Sequence, residues 1–258
     1  MDEQQTSFQP KPITQPFWLD PFPVMFPPTN IAMTEPNGLL AVGGELTPEW
    51  LLLAYSKGLF PWFSEDDPIL WWTPDPRAVL MIEHLKVRRS LKKTIRKSHF
   101  KVTMDTAFEK VMRACAQAPR EGQDGTWITD DMLTAYTVLH EKGHAHSVEV
   151  WHDDELVGGL YGVAIGKVFF GESMFSKQTD ASKVALVALC KQLKSWGFNM
   201  IDAQVTSEHM LSLGATEIPR VEFEKQLILD SQKPFPAQKW QLDSDWQLEF
   251  TQSKNQHI

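Results

Sequence analysis

Residues 146–205 constrain the fold of this chain more than any other stretch. Three runs rich in β-branched and aromatic residues follow one another with short turns between them, at residues 147–151, 156–164 and 168–175. This pattern predicts an antiparallel meander. A helix that is apolar on most faces is predicted next, over residues 180–196, and the chain then returns to a strand at residues 200–205. We expect the helix to be buried against the sheet.

Polar side chains interrupt two of these predicted strands. Glu172 lies within the run 168–175, and Asp202 and Gln204 lie within the run 201–205. A carboxylate in a buried strand is costly unless it is paired or hydrogen-bonded. Strand alternation predicts that Asp202 and Gln204 share one face, with Ala203 and Val205 opposite. The pattern leaves two interpretations open, a functional site between the strands or carboxylates that brace neighbouring backbone.

Proline and turn residues indicate how the chain is divided. Its 258 residues are enough for one large or two small domains, and 42% hydrophobic residues indicate a globular protein. The proline-rich residues 1–28 are predicted to form an extended arm, residues 29–76 a small N-terminal domain and residues 77–258 a second domain. In the small domain, Thr47 and Pro48 have the residue types of a helix N-cap and first position.

Positive charge is concentrated in one segment of an acidic chain. The net charge is −8, yet residues 86–101 contain eight basic residues and no acidic one. Val87, Leu91 and Ile95 form an apolar stripe at helical spacing. The flanking rows are basic, and their members are Arg88, Lys92 and Arg96 in one row and Arg89, Lys93 and Lys97 in the other. Most charged helix faces are simply solvated, but such faces usually mix signs, so we expect this one to contact phosphate.

Two tryptophans, Trp62 and Trp127, have both a structural and a functional interpretation. Trp62 belongs to an aromatic cluster over residues 60–72, and Trp127 follows the polar, glycine-containing loop 120–125. Such residues commonly form the core of a small domain or anchor a loop. An aromatic floor can also stack on a nucleic-acid base, which contributes about 1–3 kcal/mol per base.

Several expectations concern cellular context. The two cysteines, Cys115 and Cys190, fit a reduced cytoplasmic protein with buried thiols. No apolar run approaches the roughly 20 residues of a membrane helix, and the N-terminus does not resemble a signal peptide. His140, His144 and His146 lack a matching carboxylate or thiolate pattern, so no metal site is predicted.

Seven short motifs together resemble the leucyl/phenylalanyl-tRNA–protein transferase family. They occur in the family's order and extend over roughly residues 30–230. They are residues 35–40 (EPNGLL), 58–63 (GLFPWF), 70–77 (LWWTPDPR), 126–129 (TWIT), 144–151 (HAHSVEVW), 171–176 (GESMFS) and 202–205 (DAQV). A single motif of this length is weak, but the ordered set is specific.

The resemblance implies a fold and an activity. The fold is α+β, with a small N-terminal domain and an acetyltransferase-like C-terminal domain whose largely antiparallel sheet is flanked by helices. The activity is transfer of leucine or phenylalanine from aminoacyl-tRNA to the α-amino group of proteins beginning with Arg or Lys, which marks them for degradation by the N-end rule pathway. The ester is already activated, so no cofactor or metal is expected. The protein is expected to act as a monomer, away from membranes.

The resemblance also implies roles for individual residues. Asp202, Gln204 and Glu172 match catalytic positions. The amino-acid pocket corresponds to Leu160, Glu172, Leu189 and Ile201, although other members of the family can carry Met and Phe in place of the two leucines. The tRNA end is assigned to Trp62 and Trp127, and the acceptor stem to the basic segment, with Arg88, Arg89, Lys92, Lys93 and Arg96.

Two other functions compete with this one. A coenzyme A-dependent N-acetyltransferase of the same fold needs a glycine-rich loop to bind pyrophosphate between the meander and the next helix. Residues 176–183 contain no glycine, which counts against that activity. A non-catalytic protein that binds RNA or a peptide remains open.

Overall fold

The computed structural model describes residues 11–97, 99–119 and 126–251 and consists of two sheets with helices packed around them. The strands are β1 (Phe17–Leu19), β2 (Leu39–Gly43), β3 (Phe60–Pro61), β4 (Leu70–Trp72), β5 (Arg77–Met81), β6 (Lys101–Met104), β7 (Ala145–His152), β8 (Glu155–Ile165), β9 (Val168–Ser176), β10 (Met200–Gln204) and β11 (Thr216–Ile218). The helices are α1 (Pro48–Ser56), α2 (Arg89–Arg96), α3 (Phe108–Gln117), α4 (Asp130–Glu141), α5 (Ala181–Ser195), α6 (Glu208–Leu213), α7 (Arg220–Ser231) and α8 (Leu248–Thr251).

The smaller sheet has the strand order β1-β2-β4-β3 and packs against α1. Helix α1 begins as its sequence predicts, because the Thr47 side chain accepts a hydrogen bond from the backbone N–H of Trp50. Part of the predicted arm joins this sheet, since β1 pairs in parallel with β2. Phe26 from the same segment is buried edge-on against Trp50 and Trp71. Residues 1–10 of the arm lie outside the described part of the chain.

The larger sheet has the order β11-β5-β10-β9-β8-β7-β6. Strands β7, β8 and β9 pair antiparallel, and β10 runs parallel to β9 after the crossover through α5. The predicted meander, helix and returning strand are therefore confirmed, as is the α+β class with a largely antiparallel sheet. Strand β5 lies on the far side of β10, which places the start of β5 beside the end of β10.

Helices cover both faces of the larger sheet. Helices α1, α3, α4 and α7 pack on one face, and α5 packs on the other, with α2 beyond it. Glycine inside a strand often marks a close approach by another backbone. A Cβ atom at Gly158 would lie 2.5 Å from the Cβ of Ala181 in α5, and one at Gly162 would lie 2.1 Å from the carbonyl oxygen of Phe170. These glycines allow the helix and the neighbouring strand to pack closely.

The segment after α7 is an integral part of the fold, although its sequence indicated no structure. Trp240 is buried, with its ring 3.6 Å from the His146 imidazole and nearly parallel to it. The backbone N–H of Trp240 donates a 2.6 Å hydrogen bond to Asp105, which also accepts from the Ser147 backbone and contacts His146 at 2.8 Å.

In the described residues, every helix is too short or too polar to cross a bilayer.

Candidate active site

A cavity of about 380 Å³ opens between β9, β10 and the β3 loop. Its lining includes every residue predicted for catalysis, for the amino-acid pocket and for the tRNA end, namely Trp62, Trp127, Leu160, Glu172, Leu189, Ile201, Asp202 and Gln204. Leu160, Leu189 and Ile201 are almost fully buried and form an apolar wall. Among the polar residues of the lining, Glu172 lies in the middle of β9, and Asp202 and Gln204 lie at the end of β10, so the cavity combines an apolar pocket with a small polar centre.

Glu172 is held in the cavity by two tyrosines whose role no sequence motif indicated. The Tyr55 hydroxyl donates a 2.7 Å hydrogen bond to Glu172 Oε1, and the Tyr136 hydroxyl lies 3.4 Å from Oε2. The two hydroxyls are also within hydrogen-bond distance of each other. Burial, followed by the charge of Glu172, raises the pKa of Tyr55 and of Tyr136 well above 10. Both phenols therefore stay protonated and can donate hydrogen bonds to the Glu172 side chain.

Burial has a large effect on Glu172 itself. Desolvation raises its pKa to about 8, and the nearby Asp202 carboxylate adds to the rise. The hydrogen bonds from the two tyrosines and the charge of Arg77 act in the opposite direction. A carboxyl group with a pKa close to the working pH can exchange a proton during a reaction, as general acids and bases do.

Asp202 forms a buried ion pair with Arg77. Arg77 Nε donates to Asp202 Oδ1 at 2.8 Å and Nη2 donates to Oδ2 at 2.6 Å, with both side chains fully buried. The guanidinium lies over the rings of Phe60 and Phe223. The two parallel hydrogen bonds fix the plane of the carboxylate. Arg77 thereby neutralises the charge that Asp202 would otherwise present to the cavity.

Gln204 adopts an unusual backbone conformation beside that ion pair. The pairing of β10 with β5 contains a bulge between Asp202 and Gln204, and Gln204 has a φ of 56°. Its backbone N–H donates a 3.0 Å hydrogen bond to Asp202 Oδ1, and its side-chain amide lies 3.4 Å from Glu172 Oε1. A left-handed conformation in a residue other than glycine is unfavourable and is often found at functional sites.

Because of the bulge, one prediction about this strand is wrong. Simple alternation placed Ala203 and Val205 on the face opposite Asp202 and Gln204, but all four residues line the cavity. Alternation fails because the bulge adds a residue to β10 and the left-handed Gln204 redirects the chain. The polar side chains are still brought together, through a bend rather than through a regular strand.

The residues predicted to contact tRNA lie in two places. Trp62, 36% exposed, and Trp127 border the cavity and also line an adjoining groove of about 680 Å³. The basic side chains of α2 and its flanking residues lie outside the cavity lining and are exposed, namely Arg88, Arg89, Lys92, Lys93 and Arg96. Leu91 and Ile95 are buried, so the apolar stripe packs inward and the basic rows face solvent as predicted.

Comparison with known proteins decides the family. The sequence model for "Leucyl/phenylalanyl-tRNA protein transferase" matches residues 79–228, and that for the N-terminal domain of the same transferase matches residues 44–75. A leucyl/phenylalanyl-tRNA–protein transferase of Hydrogenovibrio crunogenus is 68% identical over 240 residues, which is 93% of this chain and 94% of the relative. One of Saccharophagus degradans is 58% identical, over 84% of this chain and 90% of the relative.

The chain belongs to the leucyl/phenylalanyl-tRNA–protein transferase family. The resemblance carried by the seven motifs is therefore confirmed, and the protein is an aminoacyltransferase. Among residues 11–97, 99–119 and 126–251 of this transferase, no group of three or more His, Cys, Asp or Glu side chains could hold a metal ion.

Three residues of the polar centre were missed in the sequence of this family member. Tyr55 and Tyr136 occupy apolar positions of α1 and α4, where an aromatic residue usually indicates core packing. Arg77 is the last residue of the motif LWWTPDPR and the first residue of β5. An arginine directly before an apolar run was the one signal in the sequence that indicated this buried charge. A buried arginine requires an acidic partner, and Asp202 was available.

Proposed function

We propose that this transferase moves leucine or phenylalanine from aminoacyl-tRNA to the α-amino group of proteins that begin with Arg or Lys. Such a product would enter degradation by the N-end rule pathway. The observation that carries the proposal is the single cavity that joins an apolar pocket to Glu172 and Gln204. We further propose that the protein acts as a cytoplasmic monomer with a small N-terminal and a larger catalytic domain.

The donor amino acid is assigned to the apolar part of the cavity. Leu160, Leu189 and Ile201 supply buried aliphatic surface suited to an uncharged side chain. Burial of a leucine or phenylalanine side chain contributes about 1.5–3 kcal/mol, whereas a charged side chain placed there would lose its hydration. This difference supports selection of Leu or Phe over polar amino acids.

The reaction requires little chemistry from the protein. The neutral α-amine attacks the ester carbonyl carbon, the bond from that carbon to the ribose oxygen breaks, and the amine proton passes to the departing ribose oxygen, which leaves as a hydroxyl. An α-amine has a pKa of about 7.7–8.0, so a useful fraction is neutral near pH 7. The protein's task is to hold the amine and the ester together.

Gln204 is assigned to orient the amine. Its amide nitrogen points toward Glu172, which leaves the carbonyl oxygen as an acceptor for an amine N–H. Asp202 holds the backbone of Gln204, and Arg77 holds Asp202. The geometry therefore supports Asp202 as a positioning residue. Because the charge of Asp202 is compensated by Arg77, Glu172 is the better candidate for contact with the cationic acceptor, whose charge would favour the ionised form of Glu172.

Coenzyme A-dependent acetyl transfer is not favoured by the loop before α5. Pyrophosphate binding there would need backbone N–H groups directed outward. The N–H groups of Lys177 and Gln178 instead donate to the carbonyl oxygen of Val157, at 2.7 and 3.3 Å. The loop thus uses these donors within the protein.

The proposed function is tested by incubating the protein with leucyl- or phenylalanyl-tRNA and a peptide with N-terminal Arg. We expect the peptide to gain one leucyl or phenylalanyl residue, measured by mass spectrometry. A peptide with a blocked α-amine should gain none, and neither should the Arg peptide when acetyl-CoA replaces the tRNA. Absence of transfer from either charged tRNA would contradict the proposal and favour a binding protein.

A further inference from the structure

On one side of the cavity, Lys86 and Lys183 add positive charge to that of Arg88, a member of the basic rows described above. His209 and Met210 of α6 line the cavity. About one turn later, the same helix borders a small crevice of about 50 Å³, whose lining includes Ser212, Leu213, Lys86, Arg88 and Lys183. Helix α6 therefore separates the cavity from the crevice and contributes side chains to both.

Lys183 and His209 lie on the two sides of this boundary, in the linings of the crevice and of the cavity. Burial lowers the pKa of His209, and the positive charge of Lys183 lowers it further, so the imidazole is neutral near pH 7. A neutral imidazole has one N–H donor and one acceptor nitrogen. Lys183 is 38% exposed, and its ammonium lies 3.3 Å from Asp180, which also accepts a 2.9 Å hydrogen bond from Thr94 in α2.

The charge around the crevice favours an anion. Its lining contains three cationic side chains, Lys86, Arg88 and Lys183, against the single carboxylate of Asp180. An acceptor protein with N-terminal Arg or Lys would be repelled here. The donor, by contrast, has one negative charge on each phosphodiester, and its ester-bearing ribose must lie at the cavity mouth when the amino acid is inside.

We infer that His209 and Lys183 bind the phosphodiester backbone of the last nucleotides of the donor RNA, between the amino-acid cavity and helix α2. The His209 ring N–H donates to a phosphate oxygen, and Lys183 supplies a compensating charge. The proposed path thus runs from α2 past Lys183 near the start of α5 to His209 at the cavity. This inference rests on the proposed function, because it specifies how the same site receives its donor.

The test uses donors that differ in phosphate content. Aminoacyl-adenosine has no phosphodiester, aminoacyl-CpA has one, and intact aminoacyl-tRNA has the full backbone. We expect Lys183→Ala and His209→Ala each to raise the KM for aminoacyl-tRNA by about threefold, and the double variant by about tenfold, as for exposed charge contacts. In Lys183→Ala the KM for aminoacyl-adenosine should stay unchanged. In His209→Ala, whose wild-type side chain lines the cavity, the KM for aminoacyl-adenosine should rise less than the KM for aminoacyl-tRNA. Aminoacyl-CpA should respond in between.

A matched control is Lys194→Ala, which removes an exposed lysine near the other end of α5. It should leave every KM unchanged, and circular dichroism should show the same melting curve for all variants. If a variant melts early, Lys183→Gln or His209→Asn replaces it, and Lys183→Arg should restore tRNA binding.

Several results would overturn the inference. Equal losses with aminoacyl-adenosine and aminoacyl-tRNA would place both residues in the amino-acid cavity. A lower kcat with aminoacyl-adenosine in His209→Ala would mean that the imidazole acts on the reacting atoms. An unchanged KM for aminoacyl-tRNA, or an equal effect of Lys194→Ala, would exclude a specific phosphate contact. Failure of the proposed function is a separate outcome, in which the unmodified protein transfers from none of the donors.

Discussion

At the scale of single residues, the geometry of Arg77 matters as much as its charge. Its guanidinium makes two hydrogen bonds to Asp202, which a lysine ammonium cannot reproduce. We expect Arg77→Lys to lower kcat about tenfold or more while the KM for aminoacyl-tRNA changes little, because Asp202 no longer holds Gln204 in place. Arg77→Met should cost about 3–5 kcal/mol of stability by leaving a buried charge unpaired.

Steady-state kinetics and urea unfolding measure these two effects. Arg113→Lys is the matched control, because Arg113 pairs with Glu109 on the exposed face of α3. That pair should be worth less than about 1 kcal/mol and should not affect transfer. An Arg77→Lys protein with the original kcat would show that the orientation of Asp202 is unimportant for the reaction.

A second prediction at this scale concerns Glu172 and how the stability of the protein changes with pH. Its pKa is 4.5 in the reference state and about 8 in the folded protein, chiefly because of burial. At a pH between these two values, Glu172 is protonated in the folded protein and ionised in the unfolded chain. The stability from neutral Glu172 is therefore fully present below pH 4.5 and is lost as the pH rises through about 8. Relative to Glu172→Gln, the unmodified protein should become less stable as the pH rises.

Melting temperatures of both proteins, measured from about pH 5 to about pH 9, test this linkage. Glu222→Gln, at an exposed position of α7, should follow the unmodified protein at every pH. A constant difference between the Glu172→Gln and unmodified melting temperatures would refute the linkage.

At the scale of an element, helix α2 is predicted to supply affinity rather than chemistry. Its basic side chains are exposed and lie outside the catalytic cavity. Changing Arg88, Lys92 and Arg96 to Ala should raise the KM for aminoacyl-tRNA and weaken its salt dependence, because fewer counterions are released on binding. The slope of log affinity against log salt should fall by about 0.7–0.9 for each phosphate that the variant no longer neutralises.

Transfer rates at several salt concentrations provide the measurement for α2. Lys110→Ala is the control, since Lys110 is exposed on α3, on the other side of the sheet. A lower kcat with unchanged affinity for tRNA would assign α2 to the reaction itself.

At the scale of the whole molecule, the C-terminal segment stabilises the larger sheet. Trp240 stacks on His146, and its backbone is fixed by Asp105. We expect Trp240→Ala to destabilise the protein by about 3–5 kcal/mol, as is usual when a large buried aromatic side chain is removed. Urea unfolding measures the decrease in stability. Trp18→Ala, at a position 72% exposed, should have little effect. A Trp240→Ala protein as stable as the unmodified one would show that the segment does not stabilise the fold.

Several features of this protein depend only on residues that are neighbours along the chain, and these features could be predicted from the sequence. The N-cap of α1, the order of meander, helix and strand, and the outward basic rows of α2 all follow from local residue types and spacing. The family also followed from the sequence, because its motifs are short and ordered along the chain. The candidate site residues were proposed through those motifs and through the polar interruptions of two strands.

The pairing of the buried polar residues could not be predicted from the sequence, because it depends on contacts between distant parts of the chain. Arg77 pairs with Asp202, which is 125 positions later in the sequence, and Tyr55 donates a hydrogen bond to Glu172, which is 117 positions later. Periodicity shows that a position is buried, and burial requires a partner for a polar group, but nothing local identifies that partner. The bulge at Gln204 could not be predicted for the same reason. It depends on the register between β10 and β5, and that register is set by the packing of the whole sheet.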